Sequence, residues 1–184
     1  MKSIKLICST LIIAILFISC DSKPSLQKYY VNNQENKNFI AIDIPSSALK
    51  IDENILTEKQ KKAYNSIGKL NLLGFNKTDD NSSIYETERL KVKSILANDS
   101  YKTLIKYGAD KQGVIIKYLG SDTSIDEVVV FGSDNSQGFL IVRLLGNGIN
   151  PAQLLNLVEV FKNSDFDSEQ LKGISDIFNK KSLS

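Results

Sequence analysis

Two short patterns in this 184-residue chain place a serine where a base could activate it. Ser47-Ala48-Leu49-Lys50 has the S-x-x-K spacing, at which a lysine amine can take the proton of a serine hydroxyl. Ser133-Asp134-Asn135 has the S-D-N order that accompanies it in penicillin-recognising serine enzymes. The third member of that set, K-T-G on a late strand, is missing, and Ser133 to Asn135 falls in a predicted hairpin turn. Patterns of three and four residues recur by chance in a chain rich in Ser, Asn and Lys. The chain has no His at all, which removes most catalytic triads, most zinc sites and the commonest general base. A His-independent envelope hydrolase using Ser or carboxylate chemistry is therefore the alternative reading. The expectation is a protein that is not an enzyme.

The other chemical patterns are weaker still. Asp79-Asp80-Asn81 and Asp165-Phe166-Asp167 are the dense carboxylate clusters, and neither has the glycine and terminal glutamate of a calcium loop. Gly146-Asn147-Gly148-Ile149-Asn150-Pro151 follows a strand and precedes a helix, as a dinucleotide loop would. Pro151 replaces its third glycine, and the strands before it lack the βαβ order. Lys59, Lys61 and Lys62, and then Lys91 and Lys93, are interleaved with or preceded by acidic residues. Arg89 and Arg143 are the only arginines, too few for a surface that grips phosphates. The sequence thus predicts no catalytic, cofactor-binding or metal-ligating residues, no cofactor and no nucleic-acid partner.

The most specific chemistry lies at the amino terminus. Lys2 and Lys5 precede the apolar run Leu6 to Ile18, which is followed by Ser19, Cys20 and the polar Asp21-Ser22-Lys23. A basic start, about a dozen apolar residues and a small residue at the cut describe an export signal. The run is shorter than the roughly 20 apolar residues of a spanning helix. Leu16-Phe17-Ile18-Ser19-Cys20 resembles a lipobox, with Phe17 where leucine is preferred. Cys20 is thus the predicted lipid-attachment residue, its thiol carrying diacylglycerol after cleavage before it. Cys8 leaves with the leader, so the remaining domain has no free thiol for a disulfide, a metal or a nucleophile. The formal charge of +2 is also a property of the leader: without Lys2 and Lys5, 21 basic residues face 21 acidic ones.

The elements behind these residues can be read from periodicity. Residues 1–19 form the signal peptide, and 20–38 a polar lipid-anchored tether with a helical turn around Leu26 to Tyr30. Residues 39–163 form the domain, and 164–184 an amphipathic tail. Phe39 to Ile44 reads as a strand stopped by Pro45. Thr57-Glu58-Lys59-Gln60 has capping-box spacing, and Ala63, Tyr64, Ile67 and Leu70 recur at helical period up to a stop at Gly68. Leu70 to Phe75 is a second strand. Ser83-Ile84-Tyr85-Glu86 is a second box opening a helix to about Ala97. Thr103–Gly108, Val114–Leu119, Glu127–Phe131 and Phe139–Leu145 then form strands joined by links so short that only antiparallel neighbours fit. Asn150-Pro151-Ala152-Gln153 starts a further helix whose buried face is Leu154, Leu155, Val158 and Phe161. The fold class is α+β: a single domain with an antiparallel meander sheet and helices packed mainly on one face.

This order of motifs resembles the bacterial lipoprotein family called domain of unknown function 4252. The resemblance rests on the lipobox, the Tyr-containing segment Leu26 to Tyr30, Ser100 to Ile105, Ile125 to Phe131, and Phe139 to Ile149. It implies a small α+β domain in the envelope of a Gram-negative bacterium and carries no catalytic residues across. The expected partners are the membrane, through the N-terminal lipid, and an envelope protein. The expected address is the cell envelope, lipid-anchored, with the outer membrane as the expected site. The expected role is a non-catalytic binding, sensing or assembly module.

Overall fold

The computed structural model describes residues 24–48, 53–109 and 112–150. The predicted signal peptide, Cys20, Lys50, the helix starting at Pro151, and Asp165 to Asp167 lie outside them. Three helices, α1 (Leu26–Asn33), α2 (Glu58–Asn65) and α3 (Ser82–Leu96), accompany six strands. The strands are β1 (Phe39–Pro45), β2 (Ile67–Asn76), β3 (Tyr101–Gly108), β4 (Gln112–Gly120), β5 (Ile125–Asp134) and β6 (Gly138–Ile149). They form one antiparallel sheet in the order β1-β2-β6-β5-β4-β3, confirming the α+β class. No described helix is long and apolar enough to cross a membrane.

The topology is a four-strand meander, β3 to β6, whose last strand returns to pair with the β1–β2 hairpin. The chain must therefore travel from β2 to the far edge before the meander starts. Helix α3, with 15 residues, makes that journey. Its length of about 22 Å matches the four strand spacings, about 19 Å, between β2 and β3. The β5–β6 turn requires glycine: Gly138 has φ +128, and a Cβ there would lie 1.9 Å from the Phe75 carbonyl oxygen.

Local chemistry explains the helix starts, with some departures from the sequence expectation. The Thr57 hydroxyl accepts from Gln60 N–H while the Gln60 carboxamide oxygen accepts from Thr57 N–H, the reciprocal box expected. Helix α2 then stops at Asn65. Ile67, Gly68 and Leu70, expected in the helix stripe and at its stop, belong to β2 instead. Ile67 is β-branched, and pairing with β6 outweighs one further helical turn. The second predicted box does not form. Asn81 precedes α3 and ties its own loop, accepting from Thr78 N–H at 2.8 Å and donating to the Asn76 carbonyl at 3.0 Å. Glu86, the expected box partner, is gripped by Arg89 instead.

The segment expected to be a tether is also part of the fold. Ser25 caps α1, its hydroxyl accepting from Lys28 N–H at 3.2 Å, and Leu26, Tyr29 and Tyr30 are buried. Their i, i+3, i+4 spacing puts all three on one face. The folded unit thus includes Leu26, 13 residues before the expected start at Phe39.

Strand alternation separates two cores. On one face, α1 and α3 cover Phe39, Leu73, Phe75, Val129, Phe131, Phe139 and Ile141. Phe139 contacts the rings of Phe39, Phe75, Tyr85 and Phe131 with centroids 5.4–6.1 Å apart. On the other face the core is largely aliphatic: Ile44, Leu70, Leu72, Val128 and Leu144, joined by Ala63 of α2.

Candidate functional site

The structure separates the two serine motifs. Ser47 is exposed in a 3-10 turn immediately after β1, beyond its Pro45 end. Ser133 pairs through Phe139 and Phe75 to Phe39, at the opposite end of β1. Six residues of strand, about 20 Å, lie between the two rows. Asp134 has a structural task there: its Oδ1 accepts from Ser136 N–H, the Ser136 hydroxyl and Gln137 N–H, closing the β5–β6 hairpin. Those donors, the Ser136 hydroxyl first, hold its carboxyl below the usual range. Ser133 and Asp134, expected in the turn, are the last residues of β5, held there by pairing with Phe139 and Gly138; the turn itself is Asn135 to Gln137, and the motif does not meet Ser47.

The glycine pattern at 146–149 is a distortion of β6, where the sequence suggested a turn between strand and helix. Ile125 pairs with Ile149 and Glu127 with Leu145, so Gly146, Asn147 and Gly148 bulge opposite Asp126 alone. A Cβ at Gly146 would lie 2.4 Å from the Ser66 carbonyl oxygen, which accepts from Asn147 N–H. Close packing on the end of α2 explains the glycine. The lysine groups lie on helix surfaces, with Lys61 on Glu58 and Lys91 on Glu88. Among the described residues, no three His, Cys, Asp or Glu side chains converge to hold a metal.

Sequence reasoning missed a buried polar network beneath α1. Arg143 and Glu127 are both buried, forked Nε to Oε1 at 2.9 Å and Nη2 to Oε2 at 3.1 Å. Arg143 also donates to the Gln27 carboxamide oxygen at 2.9 Å, and the Tyr101 hydroxyl donates to Glu127 at 3.4 Å. Beside them the Tyr30 hydroxyl and the Asn71 amide both donate to Asp43. Tyr29 donates to Glu88 at 2.8 Å, fastening α1 to α3. Burial raises the hydroxyl pKa values of Tyr29, Tyr30 and Tyr101, and the neighbouring carboxylates raise them further. The signal for this network was Arg143, a lone charge between Val142 and Leu144, with Glu127 directly before the apolar run Val128 to Phe131. Buried charges in such runs need each other. The arrangement positions α1 on the sheet and against α3.

The surface able to receive a partner is at the opposite edge. β3 is an edge strand, paired only with β4 and exposed along almost its whole length. Among the described residues, no strand lies beside its outer row of backbone N–H and C=O groups. Of seven large hydrophobic side chains exposed among the described residues, Leu104, Ile105 and Tyr107 are on β3 and Val114 is on β4. Tyr107 is 79 % exposed. Beside it runs an open groove of about 750 Å3 lined by Tyr107, Val114, Gly132 and Leu140. Gly132 pairs with both Val114 and Leu140, so its missing side chain leaves the floor between them empty. A Cβ at Gly132 would meet only Val114 Cγ2, at 3.8 Å.

Comparison with curated proteins and with solved structures finds no match. A family model matches residues 29–157, a span that holds α1's buried tyrosines, the whole sheet and the buried ion pair. The chain belongs to the family described as domain of unknown function 4252 (DUF4252).

Proposed function

We propose that this chain is a lipid-anchored protein of the bacterial envelope, held at the outer membrane, whose domain is a non-catalytic binding and assembly module. Cys20 carries the lipid. Supporting the anchor are the basic start, the apolar run and the lipobox-like Leu16 to Cys20. Because α1 begins at Leu26, five residues separate Cys20 from folded structure. Fully extended they reach about 17 Å, so the domain works close to the bilayer rather than on a long leash.

The observation that carries the binding role is the exposed β3 edge with its apolar flank. Its occupant is an extended segment of a partner protein. Only a polypeptide supplies alternating donors and acceptors along the edge, while side chains on alternate residues enter the groove. Lys102 and Lys106 keep the bare edge soluble, as lysines on edge strands do.

Two experiments test this. Cys20→Ala should remove the acyl mass and move the chain from membrane to soluble fractions; unchanged mass and fractionation would end the anchor reading. A photo-crosslinking residue at Tyr107 should give a discrete protein adduct in intact cells, lost in Gly132→Val, where the groove is filled. The same probe at Leu90, exposed on α3, should give none. Equal adducts at both positions, or none at Tyr107, would overturn the edge reading.

A further inference from the structure

The open edge carries charge as well as apolar surface. From Tyr101 to Gly120, β3, β4 and the residues between them hold Lys102, Lys106, Lys111 and Lys117 against Asp110 alone. Beyond Lys2 and Lys5 the chain is balanced, 21 basic residues to 21 acidic, so this hairpin is a local basic excess. Two of its lysines are engaged. Lys102 is held by Asp122 and lies over the Tyr118 ring, and Lys117 donates to the Leu96 and Tyr101 carbonyls. Lys106 is exposed, and no carboxylate among the described residues comes within ion-pair distance of it. Register fixes where it stands. β3 slips against β4 between Thr103 and Ile105, which leaves Ile105 to Gly108 as the uninterrupted run beside the groove. Lys106 is the one charge in that run. It pairs with Ile115, and Ile115 with Phe131, so it stands at the outer end of a row on the face of α1 and α3. Ile105 and Tyr107 alternate with it and lie on the face of the groove.

We propose that the segment received at the β3 edge alternates acidic and apolar residues: apolar side chains against Ile105 and Tyr107, and a carboxylate against Lys106 on the other face. This rests on the reading of β3 as a strand-accepting edge and names the partner that such an edge selects. An added strand sends successive side chains to opposite faces, so a period of two in the partner meets the period of two in the edge. A carboxylate directly across from Lys106 gains from the pair, and a second lysine there would destabilise it. The same charge argues against two other occupants. A second copy joined edge to edge brings its own Lys102 and Lys106 and no carboxylate on β3. A bilayer surface supplies negative charge but no ladder of donors and acceptors for the open backbone row. The lysines that keep the free edge from pairing at random also choose the strand that does pair.

The test uses the full chain in intact cells, with the photo-crosslinking residue at Tyr107. The adduct, digested and sequenced by mass spectrometry, should map to a protein segment in which Asp or Glu alternates with apolar residues. Lys106→Glu should lower the adduct yield about fivefold. Lys59→Glu, the same charge change at an exposed position of α2, should leave the yield unchanged. The mapped segment, made as a synthetic peptide, should bind the purified chain more weakly once its carboxylates are replaced by amides. The advantage of the acidic peptide should shrink at high salt, as it does for exposed charges. A mapped segment without carboxylates, equal yields in the Lys106 and Lys59 variants, or equal binding of the two peptides would overturn the proposal and leave the edge reading standing. No adduct at Tyr107 would end both. A lipid adduct, or one mapped to β3 of a second copy, would overturn it in favour of a bilayer or a dimer.

Discussion

The two faces of this sheet are built from the same strands yet stabilised in different ways. Beneath α1 and α3 the core is aromatic and directional: Phe139 meets four other rings, and Arg143 is forked onto Glu127 within reach of Gln27. The opposite face carries branched aliphatic side chains, with Tyr64 and Tyr118 at its margins. Aromatic edges and ion pairs prescribe angles as well as distances, so the first face specifies where α1 and α3 sit. Aliphatic packing prescribes little beyond volume, so the second face fixes the placement of its neighbours less sharply.

Substitutions can break this contrast. The largest effect is expected at Phe139→Ala, with a loss of about 4 kcal/mol in urea unfolding, against about 1 kcal/mol for Val130→Ala on the aliphatic face. Similar losses at both sites would erase the distinction. Glu127→Ala should cost about 3 kcal/mol, because it strands a charge at Arg143, whose side chain is 4 % exposed. Replacing both partners, Glu127→Leu with Arg143→Met, should recover most of that loss, since two apolar groups leave nothing unpaired. If the double variant is as unstable as the single one, the pair has a role beyond its own neutralisation.

Alkaline pH probes the same face. Burial holds the Tyr29 hydroxyl protonated far above its ordinary value of 10.0, with Glu88 adding to the effect. The folded state therefore keeps a proton that the unfolded chain releases. Stability from this group is complete below pH 10 and falls as pH rises beyond it, by up to about 1.4 kcal/mol per unit. Tyr29→Phe should flatten the alkaline limb of the stability curve while also removing the link to Glu88; an unchanged limb would place the titration elsewhere. Smaller again, Thr57→Ala should cost about 1 kcal/mol by removing the side-chain half of the α2 box, read from the denaturation midpoint. Smallest, Tyr107→Lys should change stability by less than about 0.5 kcal/mol. A much larger loss there would show that the edge side chain supports the fold rather than facing a partner.

Much of this architecture is legible in the residues. Five of the six strands were evident as short β-rich runs within a few residues of their observed ends, and β2 as its second half, Leu70 to Phe75, because alternating burial leaves a period of two in the sequence. The Thr57–Gln60 box was readable because it closes within four residues. Failures occurred where a local pattern competed with a distant partner. Ile67 and Leu70 fit a helical stripe until β6 pairs with them, and Glu86 fits a cap until Arg89 grips it. Leu26 to Tyr30 looked like tether because its apolar residues are few, yet its buried surface exists only once the sheet does.

By itself, the sequence determined composition-level chemistry and local geometry: no histidine, a lipobox-like pattern ending at Cys20, the capping box of α2 and the strand runs. These depend on residue type and on neighbours a few positions away. Tertiary structure decided the placements that span the chain. It put Ser47 and Ser133 at opposite ends of the sheet, Arg143 against Glu127 inside it, and β3 at an edge where its apolar side chains meet water. Strand order decides which row of hydrogen-bonding groups is left open, and strand order is set by the energy of the whole packed sheet rather than by any one segment.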